Sequence, residues 1–339
     1  MFRQSAKVLH EFNVERNRSL HSLVTMVQET QTKKDHVKED MYNMFKFMPK
    51  KGLSLALVAM LSLGVLAGCG KTDGETNNQA SGGKSGGETT EISGTVTASG
   101  SSAMLPLVKE AAKMFMDKHA KVTINPTAGG SGKGLKDVAD GISNIGNSDV
   151  AAGDEYKDKN LKEHVVAIAP FALITNPDVG IENLTKQQAA DIFTGKVTNW
   201  KEVGGKDAKI VVIHRPDSSG SRKLVKEIVL DNTEFTKEGV VQESTGAVKT
   251  AVGTQSGSIG YIDTPYLDDT VKAVKFDNVA FSKETIKNGT YKLFGTERMY
   301  TKGEPTGATK AFIDYVMSPE FQDKKVEELK FLPADLLKK

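Results

Sequence analysis

At 339 residues the chain exceeds one small domain, and its length suggests two. Charge is balanced, with 45 basic and 43 acidic residues; ten of the basic and six of the acidic ones precede position 69, so the remainder is slightly acidic. That balance argues against the basic face that duplex nucleic acid needs, and a single cysteine excludes an intrachain disulfide and a cysteine-built zinc site.

Residues 1–43 are rich in charge and stand ahead of a segment that should itself open on basic residues. Met44 and Met48 lie just upstream of Lys50-Lys51, so 1–43 reads as the product of a misassigned start or as a real cytosolic extension, outside the fold in either case. Gly52–Ala67 carries no charge and is shorter than the about 20 residues a membrane span uses. Basic residues, an apolar stretch and then small residues make 44–68 a secretory signal. It ends in Leu66-Ala67-Gly68-Cys69, which resembles the bacterial lipoprotein lipobox. The resemblance implies that Cys69 carries acyl chains such as palmitate and becomes the mature N-terminus; the plainer reading is a core helix with a buried free cysteine. From Cys69 to residue 91 no apolar residue is larger than alanine, as in a flexible tether.

From Ile92 onward short β-rich runs alternate with helical patterns, which predicts an α/β fold. Gly94–Ala98 and Val122–Asn125 read as strands; between them Leu105, Val108, Ala112, Phe115 and Met116 recur at helical spacing over 104–119. The apolar runs Val165–Ile174 and Ile210–Ile213 suit buried parallel strands. Thr185-Lys-Gln-Gln188 fits a capping box that opens a helix through Ile192-Phe193. Ser318-Pro-Glu320 is expected to open the last helix, whose KKVEELK run is a solvated face. No repeat of fixed period is apparent.

Four Gly/Ser-rich segments adjoin predicted strand ends or helix starts: Ser99–Ser102, Gly129–Gly134, Asn147-Ser148-Asp149 and Arg215–Ser221. Helix N-termini offer free N–H groups and a positive dipole end to anions, glycine admits close backbone approach, and serine adds a hydroxyl donor. One such loop is a weak signal, because Gly and Ser also simply cap helices. Several, with one arginine and one aspartate among them, point to an oxyanion pocket. Gly129–Gly134 does not complete a phosphate-loop motif, and Arg215–Ser221 does not match a nucleophile elbow. The six histidines show no metal-ligand spacing; His119 and His164 read as surface or packing residues, and His214 either faces the pocket or packs structurally.

The stretches TASGSSAMLPLVKEAA, GGSGKGLKDVADGISNIGNSDV, LTKQQAADIFTGKVTNWKEVGG, RPDSSGSRKL and SGSIGYID, in this order, resemble the phosphate-binding subunit of bacterial phosphate ABC importers in its lipoprotein form. The similarity runs from about Gly94 to the C-terminus. It implies a two-domain periplasmic-binding-protein fold of type II, divided here into 92–172 plus 263–339 and 173–262, with an anion in the interdomain cleft. It also implies a ligand set: Ser101, Ser102 and backbone at Ala103-Met104; Ser131; Asp149; Arg215; and Ser219-Gly220-Ser221. Asp217 is expected to pair with Arg215 and orient it. Ser102 and Ser221 stand where the family commonly has threonine, which keeps the hydroxyl and loosens the rotamer.

On this reading the chain is a receptor without cofactor or catalytic set. It is held at the extracytoplasmic face of the cell membrane by Cys69 and hands inorganic phosphate to the importer's transmembrane permease subunits. Phosphate near neutral pH keeps a proton that a buried carboxylate can accept, whereas sulfate offers that carboxylate only lone pairs. The alternatives are a receptor for another oxyanion, such as sulfate or molybdate, and a phosphatase-like hydrolase.

Overall fold

The computed structural model describes residues 91–337; the segment 1–43, the expected signal 44–68, Cys69 and the tether up to residue 90 lie outside the described residues. β1 (Gly94–Gly100) runs parallel to both β2 (Val122–Ala128) and β3 (Ile145–Ser148). Parallel neighbours need a crossover. α1 (Leu105–Lys118) supplies the first and buries Leu107, Val108, Ala111, Ala112 and Phe115, the face its spacing predicts. α2 (Ser131–Ala139) supplies the second, opening at Ser131 within the glycine-rich segment itself.

β4 (Leu161–Thr175) is the long strand of the molecule, and every residue from Val166 to Thr175 is buried. Its first part pairs with β10 (Phe294–Lys302); its last residues pair with β8 (Ser258–Asp263) and β9 (Lys272–Phe276). All three pairings are antiparallel, contrary to the parallel strand expected here. The apolar run reports burial on both faces and says nothing of strand direction: Phe171 and Leu173 enter one core, Ala172 and Ile174 another. Beyond β8 lie β6 (Val211–His214) and β7 (Val240–Val241), parallel as expected for the 210–213 run; β5 (Asn183–Leu184) pairs with β9. The sheet order is β2-β1-β3-β10-β4-β8-β6-β7.

Helices cover both ends of this sheet. α3 (Lys186–Phe193) opens with the predicted capping box, Thr185 Oγ accepting from Gln188 N–H and Gln188 Oε1 from Thr185 N–H. α4 (Gly220–Ile228) and α5 (Thr245–Thr254) flank the β6–β8 region, α6 (Lys283–Lys287) follows β9, and α7 (Gly307–Val316) packs on β1 and α1. The expected last helix opens at Pro319 as predicted, widens into a π turn over Phe321–Lys325 and passes into α8 (Val326–Glu328).

Two large cores result. One gathers Val96, Leu107, Phe115, Ile145, Val166, Met299 and Phe312. The other gathers Leu173, Phe193, Trp200, Tyr261, Phe276, Tyr291 and Leu293, and so reaches past the 263 boundary expected from sequence. The chain passes between them in β4 and again at the start of β10.

Candidate anion site

Four helix N-termini meet where these two cores adjoin. At α1, Ser101 Oγ accepts the N–H groups of Ala103 (3.0 Å) and Met104 (3.2 Å), while Ser101 N–H is held by the Asn147 carbonyl. At α2, Ser131 Oγ accepts Asp149 N–H at 3.1 Å, tying the glycine-rich loop to the end of β3. At α4, Ser219 Oγ accepts Arg222 N–H at 3.3 Å. At α5, Ser102 Oγ accepts Thr245 N–H at 3.1 Å and lies 3.1 Å from Thr245 Oγ1, so the α1 and α5 ends are joined directly. Each of these serines spends lone pairs on backbone amides, which leaves its own O–H proton to donate elsewhere.

Glycine sets the closeness. Gly100, at φ +134°, packs against Gly134 and Asn147 so tightly that a Cβ would fall 2.1 Å from the Asn147 carbonyl oxygen. A Cβ at Gly220 would sit 2.3 Å from Ser131 Oγ and 2.6 Å from Asp149 Oδ2. The α4 terminus can therefore approach Asp149 only as glycine.

Charge is concentrated and buried. Asp149 is 3% exposed; Ser221 Oγ stands 3.4 Å from its Oδ2, and its Oδ1 has no hydrogen-bond partner. Arg215 is 2% exposed and donates from its terminal nitrogens to Thr245 Oγ1 (3.3 Å) and the Glu243 carbonyl (3.0 Å), leaving Nε without a partner. Buried polar atoms without partners are uncommon; here an acceptor and a donor of this kind share one site. Among the described residues no cluster of His, Cys, Asp or Glu is placed to hold a metal ion.

The structure brings together Ser101, Ser102, Ala103, Ser131, Asp149, Arg215, Ser219, Gly220 and Ser221, all buried. Asp217 departs from the expected pairing with Arg215. Its side chain is 94% exposed and pairs with Arg222 Nε at 2.9 Å, not with Arg215. Arg215 turns inward from the end of β6, while Asp217 sits on the outer side of the turn. His214 packs rather than faces the site: it stacks on Phe235 and meets Arg222 through Nδ1. Burial, and then the Arg222 charge, hold its pKa below the ordinary value.

Two residues of the site, Thr245 and Asp263, and one beside it, Glu297, carry no sequence signal that singled them out. Thr245 opens α5 behind the Ser244 cap, a shorter version of the same helix-start pattern. Asp263 ends β8 and places Oδ2 3.4 Å from Ser221 Oγ; burial, then the neighbouring Asp149 charge, push it up to about 8 against the pull of Arg215. Glu297, in the middle of β10, is fully buried.

Over residues 85–320 the chain matches the PBP superfamily domain. It is 40% identical over 294 residues to the phosphate-binding protein PstS of Bacillus subtilis strain 168, an alignment covering 86% of this chain and 97% of that protein. The chain belongs to the PstS family. The family's member from Borreliella burgdorferi is 30% identical over 293 residues, covering 82% of this chain and 97% of that protein. Among solved structures, a substrate-binding protein assigned to a phosphate ABC transporter of Clostridium perfringens, with bound phosphate, shares 36% identity at a TM-score of 0.68 and covers 71% of this chain and 99% of its own. An ABC-type phosphate transport receptor from Vibrio cholerae shares 25% identity at a TM-score of 0.59, covering 70% and 99% respectively. The architecture is accordingly the two-domain α/β fold of periplasmic binding proteins, and the family is one of transport receptors, not enzymes.

Proposed function

We propose that this chain is the extracytoplasmic receptor of a phosphate ABC importer and binds inorganic phosphate between its two lobes. The observation that carries the reading is Asp149, a buried carboxylate among helix N-termini whose Oδ2 faces Gly220 and Ser221 at the start of α4. A carboxylate there opposes a fully ionised oxyanion and suits one that keeps a proton to donate. Arg215, the serine hydroxyls at 101, 102, 131, 219 and 221, the Thr245 hydroxyl and backbone amides around Ala103 and Gly220 supply the complementary donors. Charge-assisted hydrogen bonds of this type are about twice as strong as neutral ones.

Asp149 and Ser131 come from the lobe built on β1–β3; Arg215, Ser219–Ser221 and Thr245 come from the lobe built on β6 and β8. The chain crosses between lobes near residue 170 in β4 and near 294 at the start of β10, and these crossings act as the hinge on which ligand closes the cleft. Cys69, at the end of its lipobox-like segment, anchors the receptor, and the tether lets it reach the permease subunits. Calorimetric titration of the purified protein with phosphate, sulfate and molybdate tests the reading. Phosphate is expected to bind far more tightly than the other two; a preference for sulfate or molybdate refutes it.

A further inference from the structure

Glu297 lies beside the proposed site with no role yet in it. The β10–β4 register slips between Glu297 and Arg298, the mark of a bulge, and bulges re-aim side chains. Here Glu297 is turned wholly inside, 0% exposed, while Arg298 faces the other way, toward Glu163 and the Thr296 carbonyl. A Cβ built on Gly295 would lie 3.4 Å from the Asp149 carbonyl oxygen and 3.5 Å from Glu297 Oε1, so Glu297 and the Asp149 backbone are neighbours across Gly295. After burial itself, Asp149 is the first charge that the Glu297 carboxyl feels.

Neither oxygen of Glu297 receives an N–H or O–H donor, and neither does Asp149 Oδ1. Two carboxylates cannot satisfy one another, because each only accepts; one shared proton satisfies both. The surroundings decide which residue holds it. Glu297 faces Asp149 after β3 and Asp263 at the end of β8, with Arg298 as the opposing cation, and Arg298 is already engaged with Glu163. Asp149 has the Ser221 hydroxyl near its Oδ2 and its own N–H fixed on Ser131. The proton belongs on Glu297. Burial, and then the charges of Asp149 and Asp263, raise this group far above the ordinary carboxylate range.

We infer that Glu297 is a positioning residue for phosphate recognition: as a neutral acid it donates a hydrogen bond to the Asp149 carboxylate and keeps one of its oxygens aimed to accept the phosphate proton. A buried carboxylic acid held neutral so that it can donate is an established device elsewhere. The inference rests on the phosphate reading of Asp149. It makes selectivity depend on a residue that need not touch the ligand.

The test compares the wild type with Glu297→Gln and Glu297→Leu by calorimetric titration with phosphate and sulfate across neutral to alkaline pH. The amide of Glu297→Gln is neutral and still donates, so phosphate affinity at neutral pH should stay within about threefold of wild type with the phosphate-to-sulfate ratio kept. Glu297→Leu removes the donor, and the ratio should fall about tenfold or more. On raising the pH, the wild type should lose more phosphate affinity than Glu297→Gln, because ionising Glu297 adds a charge beside the bound anion. Phosphate and Asp263 titrate in both proteins, so the difference between profiles belongs to Glu297. An unchanged ratio in Glu297→Leu overturns the inference. If that variant does not fold, Glu297→Met, which also lacks the donor, takes its place, and an unchanged ratio there overturns the inference instead. A wild type that does not prefer phosphate refutes the receptor reading itself; a selective wild type with unmoved variants refutes only the role of Glu297.

Discussion

Ser221, in the first turn of α4, and Asp149, just after β3, approach each other, with Ser221 Oγ 3.4 Å from Asp149 Oδ2. The contact brings a helix-start hydroxyl onto the one carboxylate that should distinguish phosphate from sulfate. Asp149→Asn swaps an acceptor oxygen for a donor and removes the charge. Phosphate binding should weaken only moderately, since lost repulsion offsets the lost hydrogen bond, while sulfate should gain. A mismatched buried polar group costs about 1–3 kcal/mol, so the phosphate-to-sulfate affinity ratio should fall about tenfold or more, read by calorimetry at one pH and salt. A ratio that stays put removes Asp149 from recognition.

Arg215 is expected to bind the anion through charge-assisted hydrogen bonds while bracing Thr245 and the Glu243 carbonyl. Lysine keeps the charge but cannot reproduce that fork. Arg215→Lys should lose about 1.5–3 kcal/mol of phosphate affinity, the range for a hydrogen bond to a charged group, with the fold intact by circular dichroism. Asp217→Asn serves as the control. Because Asp217 is exposed and pairs with Arg222, its loss should leave phosphate affinity within about twofold, as expected of a surface ion pair.

Stability of the ligand-free protein should fall as pH rises from the ordinary aspartate range toward about 8, the value to which Asp263 is pushed. Across that window the folded protein holds a proton on Asp263 that the unfolded chain has released, so raising the pH favours the unfolded state. Glu297, displaced upward as well, acts with the same sign. Asp263→Asn removes the Asp263 share. Its melting temperature relative to wild type should climb with pH through the window and level off above it; a pH-independent difference would falsify the assignment.

The proposed anchor makes a separate prediction outside the described residues. Cys69→Ala should yield protein that is unlipidated and either released from the membrane or misprocessed there. Mass spectrometry of the native protein should find acylation at Cys69 and no residues ahead of it; an unmodified cysteine behind an intact leader rules the anchor out.

What the sequence determined by itself is what neighbouring residues decide among themselves. The Thr185–Gln188 capping box and the buried stripe of α1 appear as predicted because a cap and a helical face are set within a few residues. The anion loops were legible for the same reason: Ser101, Ser131 and Ser219 sit at helix starts that their own glycines and serines make. Tertiary structure decided the rest. The apolar run of β4 reports burial, whereas its direction comes from partners more than eighty residues away in β8, β9 and β10. Asp217 lies two residues from Arg215, yet the turn sends it outward to Arg222. Asp263 and Glu297 carry no local mark, because a carboxyl becomes part of a site only when distant segments bury it beside Asp149.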